Sequence, residues 1–179
     1  KHSTRLSYLD AMPVIRMAED DRDRQPYDHQ TVLQQSLLTW RNNPLARRIV
    51  GLTSQYVVGG GIRLQCAHVR SQRFLDSWWQ HELNQCALRV YEWCDELTRS
   101  GELFFLLSSD SAGMTHLRAV PATQITRIET AENDLQQEKC FYQKPSDVLQ
   151  QEKPWPAYDF LNDQPEENGL FATVMLHFA

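Results

Sequence analysis

Two signals bracket one stretch of this chain and constrain it more than any other feature: the Asn43-Pro44 step and the run Gly59-Gly60-Gly61. A residue before proline is pushed out of the α region, Asn is a favoured N-cap, and Pro suits the first helical position. The spacing therefore predicts a helix over 44–58. Leu45, Ile49, Leu52 and Tyr56 form its apolar stripe, with Arg47 and Arg48 on another face. Glycine loops that cradle phosphates precede a helix, where amide groups and the positive end of the macrodipole meet the anion. These glycines follow one, and Ile62-Arg63-Leu64 stands where Gly-Lys-Ser/Thr would be needed. Gly59 reads as a left-handed residue closing the helix, and Gly60 and Gly61 as a sharp turn. The run is expected to be structural.

The same logic extends along the chain. Val32, Leu33, Leu37 and Trp40 recur at helical spacing and predict a helix over 29–41. Residues 71–99 read as helix up to Gly101, either unbroken or split near Asn84-Gln85. Strands are predicted at 102–109 and 114–120 around the turn Asp110–Gly113, at 125–129 and 138–142, and at 171–178. The expected fold is α+β, with three helices on one small, mainly antiparallel sheet. Residues 1–28 read as an N-terminal arm and 29–179 as the domain. The proline- and acid-rich stretch 143–169 reads as a surface excursion.

With 41% hydrophobic residues and 7 Gly among 179, the composition is that of a folding domain. No apolar run is long enough to cross a bilayer, and KHSTRLSYLD lacks the apolar core of a signal peptide. A soluble protein with no membrane role is expected. The net charge of -5 is uneven: residues 129–168 hold ten Asp/Glu against three Lys/Arg. The chain thus lacks the overall basic balance of a nucleic-acid-binding domain.

Candidate chemistry is sparse. His81-Glu82 begins HExxH, but Gln85 stands where the second zinc ligand belongs. Cys66 and His68 offer two ligands without a second pair. A nucleophile from Cys86 or Cys94 with His116 is weighed against buried structural cysteine, which the helical setting favours. His177 in its apolar strand reads as a core histidine. Glu92, Asp95 and Glu96 beside Arg89 and Arg99 read as a solvated helix face. Trp78, Trp79 and Trp93 have only Arg70, Arg73 and Arg89 nearby, so packing is preferred over base stacking. No catalytic, cofactor or metal site emerges.

Taken in order, four segments are more specific than any one alone. They are WRNNPLARRIVGLTSQYVVGGGI (40–62), FLDSWW (74–79), DELTRSGELFFLLSSDSAGMTHLRAVPATQITRIET (95–130) and the closing VMLHF. Their succession resembles the N-terminal half of tailed-bacteriophage portal proteins, over roughly 37–142 and 171–178. The resemblance implies a non-enzymatic wing region of a ring subunit, commonly dodecameric. Such a ring sits at one vertex of the virion capsid, having assembled in the host cytoplasm. It would pass double-stranded DNA during packaging and ejection, and meet terminase, the head-tail connector, capsid and scaffold proteins. Portal chains continue past this strand into stem and clip regions, so a fragment is expected. Asn43, Pro44, Gly59, Gly60, Gly61, Gly101 and Gly113 would then be structural, and Trp40, Arg47 and Arg48 candidates for a subunit interface. The alternative is a small cytosolic α+β enzyme or regulator with a Cys/His site.

Overall fold

The computed structural model describes residues 28–145, 151–159 and 171–179. Arm residues 1–27, and 146–150 and 160–170 of the proposed excursion, lie outside the described residues. Among the described residues the α+β class holds, with four α-helices: α1 (His29–Asn42), α2 (Pro44–Val57), α3 (Val69–Gln80) and α4 (Cys86–Ser100). Six strands complete it: β1 (Leu103–Ser109), β2 (Thr115–Val120), β3 (Ile125–Ala131), β4 (Asp134–Gln143), β5 (Lys153–Pro156) and β6 (Val174–Phe178).

The helix ends follow their residues. Asp28 caps α1 by accepting from the Gln30 amide, and Asn43 caps α2 by accepting from the Leu45 amide at 2.9 Å. Asn43 also closes α1, since its own amide donates to the Thr39 carbonyl. Val58 caps the C-terminus of α2, its amide donating to the Ser54 carbonyl, and Gly59 follows at φ +53°. Gly101 at +76° ends α4, and Gly113 at +81° turns the β1–β2 hairpin.

Residues 71–99 form two helices, α3 and α4, separated at 81–85. Asn84 causes the break. Fully buried, it donates through Nδ2 to the carbonyls of Trp78 (3.3 Å) and Thr115 (3.0 Å) and accepts at Oδ1 from the Leu117 amide (3.1 Å). Its side chain thus serves two backbone groups of β2 and one in the last turn of α3, which takes the chain out of the helical path. Gln85 completes the reversal at φ +45°.

The single predicted sheet is two antiparallel sheets of three strands each, ordered β2-β1-β6 and β3-β4-β5. β1 is the wall between two cores, because alternate side chains of a strand face opposite ways. Phe104, with Val120 and Met175, meets Ile125 and Phe141 of the second sheet and Leu33 of α1. Leu103, Phe105 and Leu117 face Trp78 and Trp93 of the helices. Residues of α3 and α4 thus cover one face of the first sheet, and the second sheet together with Leu33 of α1 covers the other. Phe104 and Phe141 are wholly buried, each contributing roughly 1.5–3 kcal/mol.

β5 corrects the reading of 143–169 as excursion alone. Lys153–Pro156 pairs with β4, and Trp155 packs on the Phe104 core while donating to Gln143 at 2.8 Å. Pro154 and Pro156, which argued for loop, are compatible with an edge strand because no strand needs their missing amides.

Candidate assembly surfaces

The turn between α1 and α2 carries Trp40, Arg47 and Arg48, the sequence-predicted interface candidates. Reversal at Asn43-Pro44 brings Trp40 under two guanidinium groups, Arg47 at 5.6 Å and Arg99 at 4.8 Å from its ring centroid. Arg47 Nη2 donates to the Arg41 carbonyl at 2.8 Å. Arg41, Pro44, Arg47, Arg48 and Gly51 line a surface pocket of about 360 Å³ with no acidic residue in its wall. Arg41 and Arg48 make no ion pair with a described residue.

Of the predicted apolar stripe of α2, Leu52 is half-buried and the other three residues face away from the core. Leu45 is 66% exposed, Ile49 55% and Tyr56 85%, while Val50, Ser54 and Val58 are buried. The inward orientation is fixed by a polar contact: Ser54 Oγ donates to the Asp95 carboxylate on α4. Asp95 and Glu96 are accordingly not a purely solvated face. Glu96 bonds Arg99, accepts from Ser100, and caps the Ala122 amide at 3.2 Å.

A second exposed feature is the end of the β3–β4 hairpin. From Glu129 through Glu138 the chain has four acidic residues and no basic one. Residues Glu132 to Gln137 are all exposed, and among them Leu135 is 83% exposed.

The remaining candidates sit apart from one another. Gly60 and Gly61 border a polar cleft of about 900 Å³ with Gln72, Asp76, Trp79 and Tyr91, in which Arg63 is the one cation. Tyr91 Oη donates to the Gly59 carbonyl at 3.0 Å, fixing the loop to α4. Cys66 is exposed, whereas His68 serves as N-cap of α3, its Nδ1 accepting from the Ser71 amide. Cys86 is fully buried, and burial pushes its thiol up from the ordinary range, the reverse of what a nucleophile needs. His116 Nε2 pairs with Asp110 at 3.2 Å, and no hydrogen bond among the described residues joins it to Cys86 or Cys94. Among the described residues no three His, Cys, Asp or Glu are grouped to hold a metal ion.

No protein-family model and no curated protein matches the chain. The geometry must therefore speak for itself.

The tryptophans are packing residues. Trp93 meets Phe105 edge-on at 4.9 Å, and Trp78 Nε1 donates to the Thr115 carbonyl at 2.9 Å. Both border an apolar groove of about 510 Å³ reached by Val58, Leu97 and Phe178. His177 lies in the core as its strand suggested. A carboxylate can only accept, so Nδ1 carries the proton donated to Glu138 at 2.6 Å. Sequence reasoning missed Arg99 over Trp40, the Ser54–Asp95 contact and the exposure of Leu135. The first two join residues 59 and 41 positions apart, beyond any local pattern.

Proposed function

We propose that the chain is the wing-like region of a tailed-bacteriophage portal subunit, a structural protein of the virion vertex rather than an enzyme. In that role it would assemble into a ring around the DNA channel, with terminase and the connector as its other partners. The reading is carried by the order of its signature segments along one chain. Asn43-Pro44 starts a helix, Gly59 stops it, Gly101 stops another, and an aromatic strand, an Asp110–Gly113 turn and the VPATQI link follow. A turn-rich α+β body with surface chemistry made of caps, stops and exposed patches suits assembly.

Negative-stain imaging of the protein expressed from its whole reading frame tests this directly. End-on rings with a central channel are expected. Only dispersed single subunits at micromolar concentration would overturn the proposal. No observation favours the Cys/His alternative, since Cys86 is buried with its thiol pushed up and His116 is engaged by Asp110.

A further inference from the structure

We infer that copies of this chain dock head to tail, the acidic end of the β3–β4 hairpin of one copy seating on the arginine-flanked outer face of α2 in the next. The inference deepens the ring reading and rests on it for closure.

Four observations carry it. First, α2 turns Leu45, Ile49 and Tyr56 outward on one stripe, and Arg48 stands beside that stripe at the rim of the Arg41–Arg47 pocket. A helix whose apolar side faces solvent is incomplete until something covers it. Second, that pocket holds three guanidinium groups, and those of Arg41 and Arg48 have no ion-pair partner among the described residues. Third, the hairpin end presents Glu132 and Asp134 within three positions of Leu135, the most exposed leucine of the described residues. Neither carboxylate makes an ion pair among the described residues; Asp134 Oδ1 accepts from the Gln136 amide at 2.9 Å. Fourth, the two surfaces match in both properties: an apolar knob beside carboxylates against an apolar stripe beside arginines.

Because the surfaces differ, the contact is heterologous, and repetition produces a ring or a filament according to the rotation between copies. One hairpin end on one helix face buries less than the roughly 1,200–2,000 Å² of a standard interface, so a single contact is weak and tells only on repetition. Nucleic acid is the other polyanion that could meet the arginines. The apolar stripe beside them and the net charge of -5 favour protein.

Charge reversal decides between them. Sedimentation velocity of the chain from roughly 10 µM to about 1 mM is expected to show concentration-dependent association. Arg41→Glu with Arg48→Glu, or Glu132→Lys with Asp134→Lys, should each weaken it by roughly tenfold or more, and all four together should restore it. The positions are exposed and unpaired, so folding is expected to persist; circular dichroism checks this, and the neutral pair Arg41→Gln, Arg48→Gln should fall between. A chain monomeric throughout, reversals without effect, or failure of the quadruple variant to recover would each overturn the contact. So would loss of binding to a short DNA duplex in the arginine variant while association stays unchanged. The same reversals in the whole reading frame separate the two readings. Rings indifferent to reversal sink this contact alone, whereas no rings even for the parent protein sinks the ring reading.

Discussion

The imidazole of His177 lies flat on the ring of Phe104, centroids 4.4 Å apart and planes 3° from parallel. Since Glu138 on β4 accepts from that imidazole, one contact ties β6 of the first sheet to the second. Glu138→Ala leaves a buried N–H without its acceptor and should cost about 1–3 kcal/mol, while Glu138→Gln, which can still accept, should cost less. Urea unfolding of the two variants checks this. Equal losses would mean that the contact contributes only shape.

Asn84 holds together what would otherwise be an open edge. β2 is an edge strand, and its outward amide at Leu117 and carbonyl at Thr115 are met by Asn84 and Trp78. Asn84→Ala is expected to destabilise by about 2–3 kcal/mol through the stranded Leu117 amide. That amide should also exchange with deuterium much faster, and the bared edge should raise the tendency to aggregate. Unchanged protection at Leu117 would contradict the assignment.

At Gly59 the backbone itself is the constraint. A Cβ there would sit 3.6 Å from the Gln55 carbonyl, an ordinary contact, so the cost of substitution is conformational and not steric. Gly59→Val should lose about 1–2 kcal/mol, and Gly59→Asn distinctly less because Asn tolerates the left-handed region. Thermal melts of both variants beside the parent give the ordering. Nucleotide binding should be absent from all three, and a tight, glycine-dependent ATP complex would overturn the structural reading.

Acid should weaken the β1–β2 turn first. The amide of Met114, with help from Ala112 and His116, holds the Asp110 carboxyl below the usual carboxylate range, outweighing the opposing effect of burial. A carboxyl lowered in the folded state stabilises above its unfolded value and loses that contribution as pH falls through the folded one. The parent should therefore exceed Asp110→Asn in melting temperature at pH 6, with the gap closing below about pH 4. A gap that widens on acidification would reverse the sign and exclude this cause.

Local chemistry made the helix limits legible. Asn43, Pro44, Gly59 and Gly101 act on their own neighbours, and each does in the structure what its residue type dictates. Features that depend on distant partners were not legible. The stripe Leu45, Ile49, Tyr56 satisfies helical periodicity but periodicity cannot say which side meets the core; Ser54 and Asp95 settle that across 41 residues. The division into two sheets escaped for a similar reason, since alternation marks a strand and not its neighbour. β5 was hidden by prolines that are harmless at an edge. At the α1–α2 turn the sequence singled out Trp40, Arg47 and Arg48 but not their packing, because the second guanidinium over Trp40, that of Arg99, arrives from another helix.

The place of β1 between β2 and β6 has a consequence for how the chain is made. Its first neighbour follows after one turn, but Phe104 finds His177 across 73 positions, and Met175 is needed to seal the buried side of the sheet. During synthesis at about 5–20 residues per second, the β1–β2 hairpin therefore waits roughly 3–12 s with one flank unpaired and Phe104 uncovered. In that interval the nascent chain presents an unpaired strand edge and an uncovered aromatic ring, the kind of surface through which incompletely made chains aggregate.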